Sequence, residues 1–347
     1  MSAVARPRFA APLYLAWEVT LQCNARCLHC YSSSGPGVRH PNELTTAQAH
    51  HIIDQLADAG LLILAFSGGE PLVRPDIYDL MRHAADRELV VNVASNGAVV
   101  NDRTAARLVE SGVRSVTVSL DGADAATHDH FRQFPGLFDR TLHAIDALVR
   151  EGIRVVVSFT PTRLNHEHGR AVVRLAYDRG ASAVNMSEYV PAGRGSTDLA
   201  LPAELVRETV LDWIAMRREY AGRMQVIWHD CRVALLVPPE EQDRYSGCGA
   251  GKLTARLMAD GTLTPCVFIS QGAGNLRERS FADIWENAPV LRTIRDRNLL
   301  VSGNCGGCEY KQICGGCRAT SVAFTGQLMG GDPSCWVVPF AASGGEA

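Results

Sequence analysis

Residues 14–30 read Tyr14-Leu-Ala-Trp-Glu-Val-Thr-Leu-Gln-Cys23-Asn-Ala-Arg-Cys27-Leu-His-Cys30, an apolar run that breaks into a loop carrying cysteines. The short run Leu15–Thr20 predicts a strand that ends where the polar text begins. The same alternation recurs down the chain. Apolar segments at Leu62–Phe66, Val90–Ala94, Ser115–Ser119, Arg154–Phe159 and Ala183–Glu188 predict further strands. Between them, Thr46–Ala59, Asp76–Arg87, Arg103–Ser111, Leu137–Arg150 and His166–Arg179 carry apolar residues at helical spacing. In the first of these, Ile52, Ile53, Leu56 and Ala59 share a face, and Thr45 is placed to cap it. Gly60, Gly112, Gly152 and Gly180 follow helices and suit the left-handed residue that closes them.

Strands that alternate with helices form a parallel sheet with right-handed crossovers. The expectation is an α/β protein: a partial (βα)6 TIM-like barrel over residues 12–200, a bridging helix and linker over 201–245, and a small irregular Cys-rich domain over 246–340. In a parallel barrel the working loops follow the C-terminal ends of the strands. The sequence places there the cysteine loop, Ser67-Gly68-Gly69-Glu70, Ser95-Asn96-Gly97 and Asp121-Gly122.

Composition narrows the function. The chain has 347 residues, 46% hydrophobic and 20% charged, which excludes wholesale disorder. A net charge of −3 gives no electrostatic pull toward nucleic acid, and of the 34 Lys plus Arg only Lys252 and Lys311 are lysines. The apolar run Leu61–Phe66 is far short of the ~20 residues that span a bilayer. Met1–Ala11 lacks the apolar core of a signal peptide, so a cytoplasmic protein without a membrane partner is expected. The 11 cysteines fall as Cys23, Cys27 and Cys30, then none for about 200 residues, then eight from Cys231 to Cys335. In a reducing compartment that distribution reads as metal binding at two ends of the chain, not as disulfides.

The spacing C-x3-C-x2-C offers three thiolates to one face of an iron–sulfur cube and leaves one iron open. A zinc site completed by His29 is the alternative. The loop resembles the signature of the radical S-adenosylmethionine (SAM) superfamily, with His29 at the position that is usually aromatic. The resemblance covers roughly residues 12–195. It implies a [4Fe–4S] cluster on Cys23, Cys27 and Cys30 whose open iron binds SAM. It also implies reductive cleavage of SAM to a 5′-deoxyadenosyl radical that abstracts a substrate hydrogen atom. Gly68, Gly69 and Glu70 resemble the family segment at the methionine amino group, with the glycines letting backbone approach the ligand. Ser95, Asn96, Ser119 and Asp121 resemble the ribose- and carboxylate-side segments, and Arg132 stands where the family often has an arginine near the SAM carboxylate. His29 completes the expected cofactor-binding set.

The C-terminal cysteines have two C-x2-C pairs only five residues apart, short for a zinc ribbon. They resemble the SPASM extension behind some radical SAM barrels, a small iron–sulfur domain holding one or two auxiliary [4Fe–4S] clusters. By that resemblance Cys248, Cys266 and Cys317 match ligands of the nearer cluster, and Cys305, Cys308, Cys314 and Cys335 match the outer one. The fourth position of the nearer cluster is open to Cys231, another residue, water or substrate. Sulfatase-maturing members carry Asp where this chain has Val267, so their base is not carried over. Glu188, His229 and Asp230 are candidates for proton transfer, each also readable as ordinary hydrogen bonding, while His166 and His168 read as capping or solvated residues.

Auxiliary clusters beside a radical site suggest an electron path by which a second electron leaves the substrate, while redox-neutral epimerisation, with a thiol returning a hydrogen atom, is the alternative outcome. An oxidoreductase that dehydrogenates a small specialised metabolite, such as an aminocyclitol or sugar alcohol, is the expected function. A maturase that cross-links or decarboxylates a ribosomal peptide is an alternative. A haem-precursor-modifying enzyme is another, since Cys30-Tyr31-Ser32 and Cys314-Gly-Gly-Cys317-Arg318-Ala319 resemble such enzymes. A flavodoxin or ferredoxin is the expected reductant. An iron–sulfur scaffold or sensor is the non-enzymatic alternative, for which Gly68-Gly69-Glu70 has no use.

Overall fold

The computed structural model describes residues 9–244 and 247–338. Met1–Arg8 of the N-terminal reading, residue 245 of the expected 201–245 linker, and residues 246, 339 and 340 of the expected 246–340 domain lie outside them. The chain runs β1 (Tyr14–Glu18), α1 (Thr46–Asp58), β2 (Ile63–Ser67), α2 (Ile77–Asp86), β3 (Val90–Ser95), α3 (Asp102–Glu110), β4 (Val113–Ser119), α4 (Ala125–Arg132), α5 (Leu137–Arg150), β5 (Arg154–Phe159), α6 (Gly169–Asp178), β6 (Ala183–Ser187), α7 (Ala203–Glu219) and β7 (Gln225–His229). Then follow β8 (Thr254–Leu257), β9 (Thr262–Thr264), β10 (Gly274–Asn275), α8 (Phe281–Asn287), α9 (Pro289–Arg295), α10 (Gly303–Gly306) and α11 (Arg318–Thr325).

One sheet holds all ten strands in the order β10-β9-β8-β1-β2-β3-β4-β5-β6-β7. From β8 through β7 every pairing is parallel, and only β9 and β10 are antiparallel. Parallel strands covered by helices carry apolar side chains on both faces. Leu15, Trp17, Leu64, Phe66, Val116, Val118, Val155 and Val157 are accordingly fully buried. The Thr45 hydroxyl and the Gln48 side chain form a reciprocal capping box at the start of α1, and Ile52, Ile53 and Leu56 of that helix enter the core, with Ala59 half-buried against it. The four glycines after the helices take φ between 73° and 81°.

Two features depart from the sequence reading. The sheet does not stop at six parallel strands: β7, inside the segment expected to be a linker, pairs with β6 from Ala183↔Gln225 to Ser187↔His229. Trp213 of α7 donates from Nε1 to the Ile227 carbonyl at 2.7 Å, so helix and strand pack as one more unit of the barrel. The second departure is β8, which pairs with the free edge of β1 from Tyr14↔Thr254 to Trp17↔Leu257. Arg256 of β8 meets the buried Glu18 at 3.3 Å. The C-terminal cysteine region is thereby sewn onto the first strand of the barrel.

Candidate functional site

The loop after β1 carries Cys23 and Cys27, both buried, and Cys30, half-buried. The three pack together with Ala25 and Phe134 in a small apolar cluster of their own. The Ala25 N–H donates to Cys23 Sγ at 3.4 Å, and Asn96 Nδ2 lies 3.7 Å from the same sulfur. Arg132 Nη1 lies 3.7 Å from Cys27 Sγ. Donors of this kind stabilise a thiolate, although burial pushes the unloaded Cys23 thiol up to about 12.

The loop is clamped from the far side of the sheet. Arg194, after β6, donates from its backbone N–H to the Cys30 carbonyl at 2.9 Å, from Nε to the Cys27 carbonyl at 2.8 Å and from Nη2 to the Ser34 carbonyl at 2.9 Å. The stretch Val190–Asp198 reads in sequence only as a Pro/Gly-rich loop, so this clamp is missed there. A lone arginine in a loop gives no signal until the barrel curls it over the cysteines.

The structure brings Glu70, Ser95 and Asn96 together. Glu70 is 0% exposed; its Oε2 accepts from the Asn96 N–H at 2.8 Å and its Oε1 from the Leu72 N–H at 3.3 Å. Burial raises its carboxyl to about 7 against those hydrogen bonds and one from Ser95. Gly68 and Gly69 are also required by the chain's own packing. A Cβ at Gly68 would stand 2.5 Å from the Thr20 carbonyl oxygen, and one at Gly69 would stand 2.2 Å from that of Gln22. Gly69 N–H and Glu70 N–H donate to those same carbonyls at 2.7 and 2.9 Å. The glycines let this segment lie directly on the start of the cysteine loop.

Asp121 and Arg132 form a buried ion pair, with Arg132 Nε donating to Asp121 Oδ2 at 2.7 Å. Burial opposes the Arg132 charge, but Asp121 and Cys27 outweigh it and raise the guanidinium pKa, so Arg132 remains a cation. Asp121 Oδ1 accepts from the Thr160 N–H at 2.8 Å, its carbonyl accepts from Asn165 Nδ2 at 2.9 Å, and its N–H donates to His128 Nδ1 at 3.0 Å. Ser119 sits half-buried at the end of β4. The His29 ring stacks on Phe131 with centroids 4.5 Å apart, and burial followed by Arg132 holds its pKa well below the usual imidazole range, so it is neutral. His29 Nδ1 is buried without a hydrogen-bond partner. His166 and His168 form a short 3-10 turn before α6, where His168 Nδ1 accepts from the Ala123 N–H at 3.1 Å.

The remaining cysteines sort into two groups. Cys231, Cys248 and Cys266 pack with Cys317 around one satellite core. Cys305, Cys308, Cys314 and Cys335 line one small cavity. The eleven therefore divide as three, four and four. Cys231 stands at the border of the two C-terminal groups, with its thiol hydrogen-bonded to Cys314. It is the member that sequence spacing does not assign, because a single cysteine 17 residues before Cys248 fits no repeat. Among the described residues no three His, Cys, Asp or Glu side chains converge on one metal ion. Groups of three and four thiols are the donor chemistry of polynuclear iron–sulfur clusters.

Between the two C-terminal groups lies Arg232, 1% exposed. It donates to Asp230 at 2.6 Å, to Glu188 at 2.7 Å and to the Ser334 carbonyl at 2.9 Å, with Asp332 at 3.9 Å. Glu188 also accepts from Thr320 Oγ1 at 3.1 Å and hydrogen-bonds Cys317, while Asp332 Oδ2 accepts from the Cys317 N–H at 2.8 Å. Burial raises Glu188 to about 8 despite Arg232. Of the proton-transfer candidates, Glu188 and Asp230 thus belong to one buried network, and His229 is exposed at the end of β7.

The two cysteine-bearing regions each match a family model. The Radical SAM superfamily matches residues 17–176, and the SPASM iron–sulfur cluster-binding domain matches residues 248–318. The chain is 37% identical over 340 residues to an AdoMet-dependent heme synthase of Methanosarcina barkeri, covering 94% of this chain and 96% of that protein. It is 34% identical over 337 residues to the mycofactocin maturase MftC of Mycobacterium ulcerans, covering 94% and 88%. Streptococcus suis SuiB bound to S-adenosylmethionine shares the fold at a TM-score of 0.78 and 19% identity, over 94% of this chain and 78% of that one. The chain belongs to the radical SAM superfamily with a SPASM domain, and is an enzyme whose cofactors are SAM, a SAM-binding [4Fe–4S] cluster and auxiliary iron–sulfur clusters.

Proposed function

We propose that the chain is an oxidoreductase that carries out a net two-electron oxidation of a haem-precursor-type substrate. The observation that carries this reading is the 37% identity to a haem synthase across nearly the whole of both chains. Relatives of that kind weigh toward the haem-precursor alternative and away from an aminocyclitol or sugar alcohol. When bound, the clusters and SAM supply a hydrogen-abstracting radical and a sink for the second electron.

Cys23, Cys27 and Cys30 hold the first cluster in this reading, and no fourth cysteine joins them, so one corner stays open to SAM. Glu70, fixed by the Asn96 N–H, and Arg132, which sets a permanent positive charge against Cys27, are the residues of this chain that would help hold SAM. His29 stays neutral on Phe131. Cys231, Cys248, Cys266 and Cys317 hold the nearer auxiliary cluster, and Cys305, Cys308, Cys314 and Cys335 the outer one. A flavodoxin or ferredoxin supplies electrons.

A peptide-maturase reading is favoured by a separate observation, the 34% identity to a mycofactocin maturase. The two are distinguished by an anaerobic assay with reduced, reconstituted enzyme and SAM, offered either a propionate-bearing porphyrin precursor or a mycofactocin-type peptide. The expected result is 5′-deoxyadenosine formed together with an oxidised porphyrin seen by mass spectrometry. Consumption of the peptide with the porphyrin returned intact would overturn the haem reading.

A further inference from the structure

A cavity of about 250 Å³ opens between the C-terminal ends of β5–β7, the start of α7 and the face of α11. Its walls are apolar, built from Met186, Leu201, Val206, Val210 and Phe324. Its floor is the Arg232 network, where Glu188, Asp230 and Arg232 satisfy one another. Thr320 and Glu188 of that floor also contact Cys317 or its neighbours, so the cavity shares a wall with the nearer auxiliary cysteines.

One charged lining residue stands apart. Arg163 is exposed at the mouth, and among the described residues no carboxylate pairs with its guanidinium. Its backbone is nevertheless held in place. The Arg163 N–H donates to the Leu199 carbonyl at 3.0 Å, tying the 161–165 loop to the segment that forms the opposite rim. The preceding Thr162 donates from N–H and Oγ1 to Asn165 Oδ1 at 2.7 and 2.8 Å, and Asn165 Nδ2 donates to the Asp121 carbonyl at 2.9 Å. Asp121 in turn holds Arg132 at Cys27. Arg163 is therefore an unneutralised cation on a loop braced to the first cluster's own support, which is the preorganisation that anion recognition needs. Phe324 on the rim is 41% exposed, and Tyr189 also faces the cavity, so aromatic surface flanks the cation.

An apolar pocket with one convergent charge recognises an apolar body carrying the opposite charge. We propose that this cavity seats one edge of the substrate, and that Arg163 selects for a carboxylate on that edge. The identity of the body as a tetrapyrrole rests on the haem reading above; the carboxylate and the cavity do not. A tetrapyrrole is larger than the cavity, so a single ring with its acidic side chain enters and the rest lies across Phe324.

Binding to the reconstituted enzyme, read by fluorescence quenching without turnover, tests this. The probes are a metal-free tetrapropionate porphyrin, the same porphyrin with its propionates converted to primary amides, and a short peptide with a free C-terminal carboxylate. Arg163→Glu is expected to weaken the acid porphyrin at least tenfold and to leave the weak amide binding unchanged; Arg163→Lys stays within a few-fold of the parent. Val206→Trp, which fills the cavity, weakens both. Iron content and the visible spectrum report whether each variant folds and loads its clusters. Unaltered acid binding in Arg163→Glu, or in Val206→Trp, overturns the site even if the haem reading stands. Tight, Arg163-dependent binding of the peptide with rejection of the porphyrin keeps the site and removes the haem reading. Failure of the parent enzyme to bind any of the three overturns both.

Discussion

Arg132 lies against Cys27 at 3.7 Å, Arg318 against Cys305 at 3.8 Å, and Arg232 between the two C-terminal groups. Each guanidinium is buried and each is satisfied by carboxylates or carbonyls, because an arginine taken out of water without partners is too costly to keep. Arg232 faces three carboxylates, so removing it leaves buried charges uncompensated. Arg232→Met should cost about 3–5 kcal/mol in chemical denaturation. Glu18 gives a pH dependence of opposite origin. Burial lifts its carboxyl to about 7, against the pull of Arg256. A carboxyl raised above its unfolded value contributes stability that is complete at low pH and is lost as pH rises through the folded pKa. In this window, from the unfolded value of 4.5 to the folded value of about 7, the Glu18 contribution should fall by about 3 kcal/mol, and Glu18→Gln should flatten that slope of the unfolding free energy.

At the scale of elements, what the sequence discloses is what local physics decides. Strand β5 and helix α5 coincide with their predicted spans, because Arg154–Phe159 is β-branched and bounded by turns and Leu137–Arg150 carries a clean apolar face. The Thr45 cap is likewise local; Thr45→Ala should cost about 1 kcal/mol by thermal or urea unfolding, with little effect elsewhere. By contrast, β7 and β8 are five and four residues long and are strands because of the partners they meet, β6 and β1, far away in sequence. Helix α4 is eight mostly polar residues fixed by its Asp124 cap, and apolar periodicity does not reveal it. The site divides the same way. The cysteine triplet is readable from spacing and the Gly68-Gly69-Glu70 segment from its resemblance to the family, whereas the Arg194 clamp, the place of Cys231 and the Arg232 network exist only after long-range closure.

For the molecule as a whole, the proposed ligand sets of three, four and four cysteines determine the metal content to expect. Anaerobic reconstitution should give about 12 Fe per chain, since three cubes of four irons are expected. Cys23, Cys27 and Cys30 changed together to Ala should lower this to about 8 and abolish SAM cleavage, with the C-terminal iron retained. Cys231→Ala should alter the electron paramagnetic resonance signal of one auxiliary cluster and leave SAM cleavage in place; an unchanged spectrum would separate Cys231 from the ligands.

The pairing of β8 with β1 sets a condition on biosynthesis. Strand β1 precedes β8 by about 240 residues, so one of its edges stays bare until those residues have emerged from the ribosome. Through that interval an apolar strand with unsatisfied amides offers itself to any passing chain. A nascent fragment ending before Thr254 should therefore depend on chaperones to stay dispersed, and the arrival of β8 is what ends that exposure.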